Sequence, residues 1–274
     1  MQNSEQTFEW IDTHCHLDYE GSDKPAAQLV EEARAAGVRT LINIGTDLPT
    51  LSRVQDASSR FERVFHTVGV HPHEAATVGS GDLDLIRQAA RHPKCRAIGE
   101  IGLDYHYDHS PREVQRRILD QQLELALECA LPIVVHTREA EEDQLEALKR
   151  YIARIPMNAA GEPARIPGVI HCFTSSQDFG QACIDLGFYI SFSGILTFKA
   201  AEDLRTAARA YPLDRLLVET DSPFLAPVPL RGRKCEPAMV VHTGRKLAEI
   251  KGVPLQEVAR ITTANALQVF GIPG

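Results

Sequence analysis

Six residues scattered from position 14 to position 221 carry metal-ligating side chains: His14, His16, Glu100, His136, His171 and Asp221. Each stands at the end of a short apolar run. Neutral imidazoles offer nitrogen donors, and the two carboxylates offer charge. His14 and His16 are one residue apart, so in an extended strand both project to the same side. Six donors exceed what one tetrahedral ion takes. A pair of divalent ions is therefore expected, with Glu100 able to bridge them. Such a pair lowers the pKa of a water toward neutrality and makes it a nucleophile. Each residue has a plainer role when taken alone. A strand-end histidine is often just hydrogen-bonded, Glu100 could cap the next helix, and Asp221 in Thr-Asp-Ser-Pro could be a turn residue. Six unrelated turn positions, however, have no structural reason to be His, His, Glu, His, His and Asp.

Donors so far apart need elements that bring them together. Apolar runs read as strands over Phe8–Thr13, Val38–Ile44, Val64–Val70, Arg96–Ile101, Pro132–Val135, Gly168–Ile170, Gly187–Phe192 and Arg215–Thr220. Several are rich in Val and Ile with little alternation, the pattern of strands buried on both faces. Amphipathic stretches fall between them: Pro25–Ala36, Leu48–Arg60, Leu83–His92, Pro111–Ala130, Glu139–Ile155, Gln177–Leu186 and Ala200–Ala210, with Pro237–Lys251 and Pro254–Phe270 after the last strand. Regular alternation implies βαβ units and a parallel sheet. Eight strands favour closure into a (β/α)8 TIM barrel over an open doubly wound sheet. No G-x-G-x-x-G follows the first strand, which weakens a dinucleotide-binding reading. In a barrel the strand ends share the C-terminal face, where active sites of this fold sit. The Gly/Pro/Ala-rich segment Met157–Pro167 reads as a surface loop, and the whole chain, 1–274, as one domain.

The bulk properties exclude several classes. Hydrophobic residues make up 43% and charged residues 24%, enough for a sizeable core in a globular chain. No apolar run nears the ~18 residues a membrane span needs. Met1–Trp10 is polar and acidic and lacks a secretory signal's pattern, so a cytoplasmic location is expected. A net charge of −8 argues against a basic groove for duplex nucleic acid, although bound cations could supply local positive charge. The six cysteines form no C-x-x-C pair and read as reduced, mostly buried thiols. No stripe of aromatics suited to base stacking is visible.

Asp12-Thr13-His14-Cys15-His16-Leu17-Asp18 resembles the opening motif of the TatD-type metal-dependent hydrolases, a deoxyribonuclease family of the amidohydrolase superfamily. Further matches follow in order: Gly69-Val70-His71-Pro72-His73, Gly99 to Tyr105, His136-Thr137-Arg138, His171-Cys172-Phe173, Ile190 to Gly194 and Glu219 to Pro223. The resemblance runs from about residue 10 to 270 and implies a TIM barrel. It implies that His14, His16, Glu100 and Asp221 hold one ion and Glu100, His136 and His171 the second. The metal is left open among Mg, Zn and Mn; softness alone favours zinc or manganese for nitrogen-rich ligands. The resemblance also implies that His71 faces the substrate phosphate. Leu230 to Pro237 resembles the family's basic R-G-x-x-N-E-P segment, in which Arg231 could grip a phosphate. Cys235 stands where Asn is usual, which puts that side chain's hydrogen bond in doubt.

The expected activity is metal-dependent hydrolysis of phosphodiester bonds in nucleic acid, with a preference for 3′ ends or single strands. Asp221 would take the proton of the attacking water and Glu100 would bridge the ions. Glu219, two residues before Asp221, would orient a ligating histidine. Arg138 could do the same or merely pair at a helix start. Two other readings stand beside this one. An amidase, lactonase or phosphotriesterase could use the same barrel, but many such relatives bridge their metals with a strand-five Lys that this chain lacks. A non-catalytic metal- or phosphate-binding barrel is the other, and the intact donor set speaks against it.

Overall fold

A computed structural model describes residues 8–161 and 163–274. The first seven residues of the polar N-terminal stretch, and residue 162 of the Met157–Pro167 loop, lie outside the described residues. Eight strands form one parallel sheet in sequence order: β1 Trp10–Cys15, β2 Val38–Asn43, β3 Val64–Val68, β4 Cys95–Asp104, β5 Ile133–Arg138, β6 Gly168–Ile170, β7 Tyr189–Phe192 and β8 Leu216–Val218. Helices α1 Ala26–Ala35, α2 Leu48–Arg60, α3 Asp82–Ala89, α4 Arg112–Cys129, α5 Glu141–Ile152, α6 Gln177–Asp185 and α7 Glu202–Ala210 connect them, and α8 Val240–Lys251 and α9 Leu255–Val269 follow β8. The sheet curls until its edges meet. Beyond β8, Asp221 N–H donates to His14 C=O (2.9 Å) and His16 N–H to Ser222 C=O (2.9 Å). The (β/α)8 barrel expected from the alternation is the observed fold.

Local chemistry explains where the elements begin. Asp47 caps α2 in a reciprocal box: its side chain accepts from Thr50 N–H, and Thr50 Oγ1 accepts from Asp47 N–H. Ser176 caps α6 by accepting from Phe179 N–H. The apolar residues then divide into two layers. One cluster takes a residue from every strand: Ile11, Ile42, Phe65, Ala97, Val134, Val169, Tyr189 and Leu217. This is the barrel interior. Val269, Phe270 and Ile272 join it, so the end of α9 plugs one mouth. Asn265 Nδ2 donates to Leu216 C=O, and Arg63 donates to Pro273 C=O, which places the plug at the N-terminal ends of the strands. Truncating a plug residue such as Phe270 to Ala costs about 3–5 kcal/mol. The second, larger cluster lies between strands and helices. The opposite, C-terminal mouth is left open.

Two strands depart from regular register beside the candidate ligands. Along β4, Ile98 pairs with Ile133 but Ile101 with Val135, so three steps match two. Gly99 and Glu100 sit in that bulge. Along β1, Asp12 pairs with Leu41 but Cys15 with Asn43, which puts Thr13 and His14 in a second bulge. Bulges re-aim a side chain without ending a strand. This corrects the expected boundaries. β1 runs through His14 rather than stopping at Thr13, and β4 continues past Glu100 to Asp104. His136 lies inside β5, and β8 is so short that Asp221 follows it by three residues. Gly102 makes the β4–β5 approach possible. Its φ is +147°, and a Cβ there would lie 1.9 Å from His136 C=O.

Candidate metal centre

All six predicted donors meet at the open mouth, around Glu100. This carboxylate is buried and divides its oxygens. Oε2 lies 3.4 Å from His14 Nε2. Oε1 lies 2.7 Å from His171 Nε2, 3.2 Å from His136 Nδ1 and 3.4 Å from His71 Nε2. Asp221 Oδ1 is 3.6 Å from both His14 Nε2 and His16 Nε2. The His14 and His171 rings stack nearly parallel, 3.8 Å apart. A cavity of about 700 Å³ opens above, with His16, His71, Glu100, His136, His171 and Asp221 in its lining. Asp221 holds a left-handed backbone, φ +59°, which Asp tolerates better than most residues.

The hydrogen bonds on the far side of each ring show which nitrogen faces the carboxylates. His171 Nδ1 is 3.3 Å from Glu219 Oε1, His136 Nε2 is 3.1 Å from Asp104 Oδ2, and His16 Nδ1 is 3.3 Å from Ile44 C=O. Each of those contacts uses the ring N–H as donor. In a neutral imidazole the other nitrogen is then a bare lone pair. In their neutral form three rings thus aim lone pairs at the oxygens of Glu100 or Asp221, an arrangement that repels unless a proton or a metal cation stands between. His14 has no hydrogen-bond partner on either nitrogen among the described residues. His171 Nε2, although close to Glu100, is not aligned as a hydrogen bond. Donors about 2.1 Å from a shared tetrahedral ion lie about 3.4 Å apart, and most of these separations match. The residues fit divalent cations.

His71 differs. Its Nδ1 accepts from His73 N–H at 3.1 Å, so the neutral ring carries its proton on Nε2, facing Glu100 and the cavity. Burial pushes its pKa down to about 4, against the opposing pull of Glu100, so the ring is neutral near pH 7. His71 is a hydrogen-bond donor rather than a lone-pair ligand.

Charge at the centre is arranged by neighbours. Burial acts to raise Glu100, but the facing His171, His71 and His14 hold it well below the usual carboxylate range. Asp221 is likewise lowered against burial, chiefly by the adjacent His16. Burial and the adjacent His171 lower His14. His171 is raised well above its ordinary value because Glu100 and Glu219 outweigh its burial. Both ends of the His171 ring therefore look onto carboxylates, and positive charge is favoured between it and Glu100.

Arg231 is not brought into the cavity. It is exposed at the rim, its guanidinium 3.7 Å from the Phe198 ring centroid. Arg138 does line the cavity and lies 4.8 Å over Tyr107. Cys235 is buried with Ala226 and Met239; its N–H donates to Pro223 C=O and its Sγ to Thr220 C=O at 4.0 Å, so backbone and side chain both tie this segment to the site. Glu219 sits where its parity predicted, accepting from Cys172 N–H (2.7 Å) beside His171. Sequence reasoning passed over Asp104 and His73. Asp104 is buried and accepts from His73 Nε2 (2.9 Å), from His136 Nε2 and from the His106 and Tyr107 amides. These donors outweigh its burial and hold it ionised far below the ordinary range. It stood within a quoted motif, but its role depends on β4–β5 register.

Comparison with known proteins identifies the family. The family described as TatD related DNase matches residues 11–271. YcfH of Escherichia coli, an uncharacterized metal-dependent hydrolase, is 39% identical over 265 residues, covering 96% of each chain. YabD of Bacillus subtilis, named likewise, is 38% identical over 262 residues, 96% of this chain and 99% of its own. The 3′-5′ ssDNA/RNA exonuclease TatD of Klebsiella pneumoniae is 35% identical over 250 residues, covering 89% and 91%. Among solved structures, the TatD homologue YjjV of Escherichia coli superposes with a TM-score of 0.88 at 28% identity, covering 96% of this chain and 98% of that one. Among the described residues no helix is long and apolar enough to cross a membrane. The chain belongs to the TatD-related family of metal-dependent hydrolases.

Proposed function

We propose that the chain hydrolyses phosphodiester bonds of nucleic acid, as a deoxyribonuclease acting on single strands or 3′ ends. The observation that carries this reading is the division of Glu100 between two groups of imidazoles. In this assignment His14, His16, Glu100 and Asp221 would hold one divalent cation, and Glu100, His136 and His171 would hold a second. Bound there, divalent ions would polarise a phosphoryl oxygen and acidify a water.

The chain's own residues supply the rest. Asp221, ionised at the cavity edge, takes the proton of the attacking water. His71 Nε2–H donates to a non-bridging phosphoryl oxygen as negative charge builds there. Asp104 and Glu219 lock the ring orientations of His136 and His171. Arg231 and Arg138 add positive charge at an otherwise acidic rim. The Klebsiella relative's name supports a nucleic-acid substrate. The absence of Lys from β5 speaks against the carboxylated-lysine hydrolases.

The test strips the purified protein with chelator and restores Mg²⁺, Mn²⁺ or Zn²⁺ in turn. Each form is offered 3′- and 5′-labelled single strands, duplexes, RNA, and panels of esters and amides. Metal-dependent shortening of the single strand from its 3′ end is expected. Turnover of esters or amides with every strand left intact would replace this reading with the small-molecule one.

A further inference from the structure

The mouth of the site holds a feature that folding does not require. Tyr19, Phe224 and Tyr107 are 45%, 45% and 51% exposed, and among the described residues they are the only Phe, Tyr or Trp side chains in that condition. All three line the one cavity above Glu100. Each sits three positions beyond a site residue: Tyr19 after His16, Tyr107 after Asp104 and Phe224 after Asp221. They therefore ride on the loops that leave the site-bearing strands.

Their positions around the ring are opposed. Tyr19 follows β1 and Phe224 follows β8, neighbouring strands joined where the barrel closes. The two rings meet edge to face, 5.3 Å apart at 78°. Tyr107 follows β4, and Arg138 at the end of β5 places its guanidinium over the ring. His109 lies parallel to Tyr107, 5.6 Å away. In a closed ring of eight strands, the β8–β1 pair and the β4–β5 pair stand across from each other. Glu100 and its imidazoles lie between the two walls.

We propose that these walls form a two-sided stacking subsite for the unpaired nucleobases flanking the bond to be cleaved. The proposal rests on the nuclease reading above and adds what holds the strand. Electrostatics leaves that task open. The cavity lining contains one fixed cation, Arg138, against Asp47, Glu74, Glu100, Asp104 and Asp221. Beyond the phosphate at the ions of that reading, few phosphates can be neutralised there, so the usual attraction for a nucleic-acid backbone is weak. Aromatic faces bind any base through its π-system, and a guanidinium over a ring adds a cation–π contact. Bases inside a duplex already stack on one another, so such walls select frayed or single-stranded ends.

The experiment compares two single strands of equal length: one with normal bases, and one with tetrahydrofuran abasic residues flanking the cleaved bond. The wild-type protein is expected to show a KM about tenfold lower for the base-bearing strand. Tyr19→Ala, Phe224→Ala and Tyr107→Ala should each drive that ratio toward one, while Phe224→Trp keeps it. A strand carrying 2-aminopurine beside the terminal phosphodiester gives a readout without turnover. Its fluorescence is expected to be quenched by metal-free wild-type protein and to stay bright with the alanine variants. Cleavage of both strands with equal KM, and no quenching, would remove the stacking subsite and leave the nuclease reading standing. Cleavage of neither strand under any metal would overturn both.

Discussion

His66 and His171 are buried histidines of the same barrel, and their surroundings make opposite demands on them. His66 faces outward from β3 toward α2, where its Nδ1 is 2.8 Å from Ser58 Oγ. Burial, with His92, Lys94 and Arg96 nearby, drives its pKa down to about 3. It is a neutral packing residue. His171 at the mouth has a carboxylate beyond each nitrogen and is pushed the other way. Residue type and burial therefore do not mark a functional histidine. The sign of the charge around it does, because low dielectric magnifies whichever sign is present. Cations around His66 exclude a further cation, and carboxylates around His171 call for one.

The strongest way to break this contrast is to neutralise Glu100. Glu100→Gln is expected to lower metal-dependent hydrolysis at least about a thousandfold and to deplete divalent ions measured by elemental analysis. His66→Asn should leave the bound ions in place. Equal metal content in both variants would erase the distinction. Asp104→Asn sharpens it at one remove. This change keeps the side chain's shape but weakens the acceptor that fixes the His136 ring, so metal affinity by calorimetry should fall about 10- to 100-fold. A change of less than twofold would show that His136 is oriented by packing alone.

The effect at His66 lies away from the metal centre and appears as acid sensitivity. Its folded pKa of about 3 lies below the unfolded value of about 6.5. The unfolded chain binds the extra proton, so this contribution is complete above pH 6.5 and is lost as pH falls toward 3. Within that window wild-type stability should fall about 1.4 kcal/mol per pH unit more steeply than that of His66→Asn. Urea denaturation at pH 7, 5.5 and 4.5 measures the difference. Parallel curves would mean that His66 is already protonated in the folded protein.

Much of this organisation is legible in the sequence. Alternating runs announce the strand and helix order, and ligand-type residues at strand ends announce one face. What stays hidden is register. Asp104 lies 32 residues from His136, and only the β4–β5 pairing, with Gly102 opposite His136, shows that they touch. Glu100 reads as a strand end because Ile101 closes its apolar run, yet a bulge turns it inward with β4 continuing beyond. The exposed aromatics escape notice for another reason. Tyr19, Tyr107 and Phe224 are scattered singly along the chain, and only the circular strand order groups them. Arg231, by contrast, is placed at the rim over Phe198 rather than over the imidazoles.

The bonds between the segment after β8 and the end of β1 carry a consequence for biogenesis. Asp221 reaches His14 and His16 only when the two edges of the sheet have come together. Three quarters of a barrel would therefore lack the carboxylate that completes the His14–His16 donor set. A chain emerging from the ribosome therefore assembles its full set of donors only when its last strand docks, so a complete centre reports a closed ring.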